Sequence, residues 1–124
     1  MADDARPPGR RYQTGKHLPS FLLLLVARHE DYGGALIERL RATMPQTCTV
    51  DTGQAYRLLR SLEQQGLVVS RWHPQEDGPP LRLYTITERG RLRLDEMALE
   101  IRSRRDTLDR FLHLWDALHV APPV

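Results

Sequence analysis

Cysteine occurs only once in this chain, at Cys48, so no internal disulfide can form. None of the five histidines (His17, His29, His73, His113, His119) stands near Cys48 in metal-ligand spacing, and no metal site is expected. The longest run of large apolar residues, 21–26, is six residues long and cannot span a bilayer, so no membrane partner is expected. No basic flank followed by an apolar stretch and a small-residue cleavage site marks the N-terminus, which makes the cytoplasm the default location. Glu30 with Asp31, and Glu76 with Asp77, are adjacent pairs in loops whose side chains do not converge on one substrate. With no Gly-rich phosphate loop or nucleophile elbow either, neither an enzyme nor a cofactor is expected. Lysine, too, occurs only once, and seventeen of the eighteen basic residues are arginine. Arginine suits bidentate contact with guanine or phosphate, although a codon bias toward arginine would produce the same count.

What is present is one domain's worth of globular sequence: 124 residues, 40% hydrophobic and 27% charged. The net charge of +2 is unevenly placed. Residues 1–16 carry four positive and two negative charges, and residues 53–93 carry seven and four. Residues 17–52 (three and four) and 94–124 (four and six) lean the other way. An anionic partner would therefore be met by the N-terminal segment and the middle of the chain.

The opening "MADDARPPGRRYQTGK" is nearly free of apolar residues and reads as a flexible basic arm, 1–16. Pro19 and Ser20 suit the start of a first helix, buried on most sides by residues 21–26. In "YGGALIERLRATM", Leu36, Ile37, Leu40 and Met44 share one face of a second helix that Pro45 ends. Asp51 or Thr52 can cap a third helix over 53–65. Its apolar side is Ala55, Leu58, Leu59 and Leu62, and Gly66 follows as a left-handed terminator. "LVVSRW" and "LRLYTIT", separated by "HPQEDGPP", predict a β-hairpin with an irregular tip. Thr87 caps a last helix, 88–119, which leaves 120–124 as a tail.

That last helix carries a heptad: Leu94, Ile101, Leu108 and Trp115 at one seam position, Met97, Phe111 and Leu118 at the other, with Arg104 the one interruption. Such a seam predicts homodimerisation through a coiled-coil interface. Leu92, Leu99 and Leu112 lie off the seam and would suit a helix folded back on its own domain. A helix of about 45 Å, by its rise per residue, is too long for so small a core to cover.

Three helices, a hairpin and a long final helix describe a mainly α fold with a small β-hairpin, a winged helix-turn-helix over 17–87 with a C-terminal dimerisation helix. Two motifs carry a family resemblance as well. "GQAYRLLRSLEQQGLVVSRW" and "GPPLRLYTITERGRLRL" resemble the PadR family of bacterial transcriptional regulators in Gly53, Tyr56, Leu59, Leu62, Glu63 and Gly66, then Gly78 to Pro80, Tyr84, Ile86, Thr87 and Gly90. The likeness covers residues 18 to about 95. The stretch from Arg57 to Arg60 and the ending "RRDTLDRFL" look most like a subgroup of polyhydroxybutyrate-responsive repressors. The sequence departs from the family where Tyr32, Gly33 and Gly34 replace a His-Gly-Tyr helix start. It departs again where Leu81 takes the first of two basic wing positions, leaving Arg82 alone.

The resemblance implies a homodimeric repressor on an inverted-repeat operator in double-stranded DNA, bound to the bacterial nucleoid when active. Release would follow when a small hydrophobic or aromatic effector occupies the core or the dimer interface. A winged helix used only for protein contact, or an activator, is the alternative. Gln54, Arg57 and Ser61 form a polar stripe suited to base edges, whose bland counterpart is a solvated helix face. Arg60 suits a phosphate, as does Arg82 on the wing, while Tyr56 could pack its ring or reach a phosphate with its hydroxyl. Arg6, Arg10, Arg11 and Lys16 could follow the minor groove or the phosphate backbone, or only solubilise the arm. Trp115 reads as dimer core, or, from both subunits together and with Met97 and Phe111, as the lining of an apolar effector pocket. Trp72, at the wing base, reads as a packing residue.

Overall fold

In the computed structural model, the backbone is described for residues 8–120 and the side chains from Lys16 onward. The first helix, α1, spans Pro8–Arg28, so the start expected at Pro19 lies eleven residues inside it. Proline suits a first helical position, where its missing N–H has no helical partner to lose, and Pro8 occupies that position. Pro19 inside the helix costs about 3 kcal/mol. Leu18, Leu22 and Leu23 beside it are buried, and burying a leucine side chain is worth about 1.5–3 kcal/mol, enough to offset that loss. The arm expected over 1–16 is therefore helical from Pro8, and Lys16 is an exposed helix residue. Arg6, the side chains of Arg10 and Arg11, and residues 121–124 lie outside the described residues.

The remaining elements are β1 (Asp31–Tyr32), α2 (Gly33–Thr43), α3 (Thr52–Gln64), β2 (Val68–His73), β3 (Leu81–Ile86) and α4 (Glu88–Leu118). They fall into two compact units, one ending at Leu94 and one beginning at Asp95. In the first, Leu22, Leu23 and Val26 of α1 are fully buried together with Leu36, Ile37 and Leu40 of α2 and Leu59 of α3. Helix α3 contributes Ala55, Leu59 and Leu62 to this core, while Leu58 is half-buried. The choice between two caps falls on Asp51, whose carboxylate accepts the Gln54 N–H at 2.9 Å. At the other end Gly66 has φ +79°, a left-handed conformation that turns the chain into β2.

Strands β2 and β3 pair antiparallel from Val68 opposite Ile86 to His73 opposite Leu81. On the other side of β3 lies β1, giving the order β1-β3-β2, with Tyr32 opposite Leu83. Two residues carry no alternation, so β1 leaves no trace in the sequence pattern. It exists because Asp31 is held in place. Its carboxylate accepts from Arg39 at 3.1 Å, and the same guanidinium reaches the Leu25 carbonyl at the end of α1. The neighbouring acid, Glu30, accepts from Thr85.

Helix α4 starts from a tight junction. The Thr87 hydroxyl accepts the Gly90 N–H at 2.9 Å and donates toward the carbonyls of Gly66 and Leu67, while the Thr87 N–H donates to Leu67 as well. Gly90 lies against that carbonyl so closely that a Cβ there would stand 2.0 Å from the Leu67 oxygen. In the second unit, residues 101–118 of α4 are exposed throughout.

Gly90→Ala is expected to destabilise the protein by about 3 kcal/mol, because the obstacle is backbone and cannot rotate away. Gly66→Ala, which meets only the strain of a left-handed residue, should cost about 1–2 kcal/mol. Urea unfolding of both variants gives the comparison. Tyr84 is buried, which raises its phenol pKa above the ordinary value, with Glu63 and Tyr56 adding to the rise and Arg82 and Arg60 opposing it. The fold therefore holds the neutral phenol more tightly than the unfolded chain does. Its contribution is complete below pH about 10 and is lost as pH rises further. Tyr84→Phe should flatten that alkaline decline in a series of urea midpoints.

Candidate nucleic-acid interface

Successive residues of a helix turn by about 100°, so Ala55, Leu59 and Leu62 facing the core oblige Gln54, Arg57 and Ser61 to face away from it. The structure leaves Gln54 and Arg57 exposed and Ser61 half-buried, with the Ser61 hydroxyl accepting from Gln65 at 3.1 Å. No acid stands among these three residues or beside them at Arg60.

Tyr56 and Arg60 lie further round the helix, and with Gln64 they form one wall of an open cavity of about 510 Å³. The opposite wall belongs to the hairpin, through Trp72, Leu81 and Arg82. Trp72 and Arg82 are cross-strand partners, and the Arg82 guanidinium stands 5.0 Å from the centre of the Trp72 ring. At 62% exposed, Trp72 is a surface residue of the groove and not the packing residue its place at the wing base suggests. A third wall is the start of α2, at Tyr32, Gly33 and Gly34. That helix end has no side-chain cap and no acid in its first turn, so its N–H groups and dipole favour an anion. Tyr84 completes the lining.

Tyr56 packs against the start of α2. A methyl group at Gly33 would meet its ring carbon at 3.2 Å, and one at Gly34 would meet its hydroxyl at 3.5 Å, so the side chain lies across the α2 start, and Tyr56 is also among the residues lining the groove. The structure thus gathers Tyr56, Arg60 and Arg82 around one cavity and leaves Gln54, Arg57 and Ser61 on the adjacent strip of α3. Lys16, on α1, is not among the residues lining the cavity.

Sequence reasoning missed Tyr32, Trp72 and Glu63 in this groove. Glu63 is its one acidic lining residue, and its carboxylate is engaged by Ser70, from the backbone N–H at 3.2 Å and from the hydroxyl at 2.7 Å. Cross-strand pairing of Trp72 with Arg82 could have been counted from the hairpin register. The α2 start could not, because only the tertiary fold carries it to the wing.

The seam residues of α4 present a separate surface. Ile101, Leu108, Phe111, Trp115 and Leu118 are between 39% and 80% exposed, whereas Met97 is buried and Leu94 half-buried. Phe111 and Trp115 are one helical turn apart, but Met97 stands fourteen residues from Phe111, about 21 Å along the helix. Within one chain these three do not line a single pocket. Among the described residues no helix is long and apolar enough to cross a membrane, and no group of three His, Cys, Asp or Glu side chains could hold a metal ion.

Comparison with known proteins agrees with the fold. The profile of the transcriptional regulator PadR-like family matches residues 22–96. Among solved structures, a PadR family transcriptional regulator from Eggerthella lenta is 26% identical, with a TM-score of 0.71 over 82% of this chain and 86% of that one. A PadR-like regulator from Bacillus cereus is 23% identical, with a TM-score of 0.71 over 82% and 96%. One from Bacteroides fragilis is 23% identical, with a TM-score of 0.67 over 83% and 96%. No curated protein matches the chain. With more than half of its length in the family profile and the fold of the family's solved members, the chain belongs to the PadR-like family of transcriptional regulators, whose work is DNA binding rather than catalysis.

Proposed function

We propose that this regulator is a repressor that binds an inverted-repeat operator as a homodimer and leaves it when a small hydrophobic or aromatic effector is bound. The observation that carries the DNA-reading part is the exposed face of α3. Gln54, Arg57 and Arg60 stand there without an acid, with the half-buried Ser61 at their edge, beside a groove bordered by Arg82. A major groove about 12 Å wide admits one helix, whose first exposed residues reach base edges. Gln54 and Arg57 occupy those positions and suit adenine and guanine. Tyr56, Arg60, Arg82 and the uncapped start of α2 surround a space in which a backbone phosphate meets several donors at once. Lys16 is assigned to the phosphate backbone as well.

Dimerisation is supported by α4. Ile101, Leu108 and Trp115 fall on one line drifting about 20° per heptad, and Phe111 and Leu118 run beside them. These side chains are exposed in the single chain, and a second copy of the same helix is the partner whose apolar pattern matches. Because Met97 and Phe111 are about 21 Å apart on one helix, an effector pocket containing Met97, Phe111 and Trp115 needs residues of both copies.

Selection of bound duplexes from a random pool by the purified protein tests the whole reading. Two half-sites related by a two-fold axis and about one helical turn, 34–36 Å, apart are expected. Recovery of no sequence, or a retained affinity that ignores ionic strength, would favour a protein-contact module instead. Arg57→Ala should cost about 1–3 kcal/mol of operator binding and relax preference at one base pair, as read by gel-shift titration across operator variants. Arg82→Ala should weaken binding to all sequences alike and lower the salt slope by about one. Leu108→Glu should convert the dimer to monomer in sedimentation velocity and weaken operator binding with it.

A further inference from the structure

Glu63 presents a contradiction. It lines a groove otherwise bordered by Arg60 and Arg82, and a carboxylate on a surface that meets phosphate opposes binding by simple Coulomb repulsion. Its contacts suggest why it is tolerated there. One oxygen, Oε2, accepts both the backbone N–H (3.2 Å) and the hydroxyl (2.7 Å) of Ser70, joining α3 to β2. A serine hydroxyl has a single hydrogen, so donation to Glu63 leaves only lone pairs for its other neighbours. One of these accepts the Arg82 Nε–H at 2.7 Å. The chain Arg82 to Ser70 to Glu63 thus has a fixed direction, each group donating to the next.

We infer that Glu63 is a positioning residue for Arg82: through the Ser70 hydroxyl it fixes the guanidinium at the groove so that the wing and α3 present their donors together. The inference rests on the reading of this groove as the DNA-backbone seat. An arginine has five N–H donors, and pinning Nε leaves the four on the terminal nitrogens for bidentate phosphate contact. The guanidinium plane is held a second time by the Trp72 ring, 5.0 Å away. A long side chain ordered before binding loses less freedom when it binds, so the arrangement should strengthen DNA binding despite the negative charge it introduces.

The sign of the effect separates the two roles. Anisotropy titrations with a labelled random-sequence duplex at fixed low salt would compare the wild type with Glu63→Ala, Glu63→Gln and Ser70→Ala, each also made together with Arg82→Ala. Glu63→Ala and Ser70→Ala should weaken binding about two- to tenfold, even though the first removes a negative charge, and should lower the salt slope by about one. Neither should have any effect once Arg82 is absent. Glu63→Gln, which keeps an acceptor oxygen and loses the charge, should bind at least as tightly as the wild type. Tighter binding by Glu63→Ala, or an equal loss with and without Arg82, overturns the inference. A DNA-free measurement keeps it independent of function. The Arg82 Nε–H resonance should be slow to exchange in the wild type and in Glu63→Gln, and fast in Glu63→Ala and Ser70→Ala. A resonance indifferent to both substitutions sinks the relay. Failure of the wild type to bind any duplex sinks the DNA reading and leaves the resonance to decide the relay alone.

Discussion

The carbonyl of Leu67 is the point on which the DNA-facing half of the molecule depends. It lies just after the left-handed Gly66, receives the Thr87 N–H and hydroxyl, and has Gly90 packed against it. One backbone oxygen thereby fixes where α3 ends, where β2 begins, where β3 finishes and how α4 sets off. A backbone group buried at such a junction must be paired, since an orphaned one costs about as much as a lost hydrogen bond. Threonine and glycine three residues apart meet that demand, one by supplying the partner and the other by having no side chain in the way. The Thr-x-x-Gly motif is in this sense a packing rule before it is a family mark.

From that junction follows the character of the α3–β2 unit. Only Gln65 to Leu67 separate the helix from the strand, and Glu63 and Ser70 tie the two together from either side of the turn. Leu59 and Leu62 bury one side of α3, so its opposite side cannot turn inward without emptying the core. Deletion of a buried leucine side chain costs about 2–5 kcal/mol, more than a solvent-exposed ion pair returns. Packing therefore decides which face of the helix is available, and polar contacts only adjust the side chains upon it.

The groove between α3 and the hairpin concentrates a small amount of charge. Arg60 and Arg82 stand on its walls, while its sole acid, Glu63, has its carboxylate occupied by Ser70. A net charge of +2 over the whole chain thus understates what an approaching phosphate would meet locally. Aromatic rings define the shape of the space: Tyr56 across the α2 start, Trp72 under the Arg82 guanidinium, Tyr84 in the lining. With Leu81 in place of a second basic wing residue, the pairing of Trp72 with Arg82 gives the remaining cation a defined orientation.

Sequence alone determined the elements that carry strong periodicity or punctuation. Helix α2 with its face of Leu36, Ile37 and Leu40, helix α3 with its Gly66 stop and the two hairpin strands could be read because each states its geometry within a few residues, whereas the end of α2 before Met44 and the choice of Asp51 over Thr52 as the α3 cap came only with the structure. The family could be read for the same reason, from motifs local to α3 and to the β3–α4 turn. The beginning of α1 could not, since a proline inside a helix looks like a boundary until leucines beside it are seen to be buried. Nor could β1, two residues long and defined by pairing with a strand more than fifty positions away. The groove is the clearest case: Tyr32, Tyr56, Trp72 and Arg82 come from three separate regions of the chain, and each alone is an ordinary surface residue. Local chemistry is legible in sequence because it acts between near neighbours, whereas a site assembled across the core exists only when the core has decided which distant residues meet.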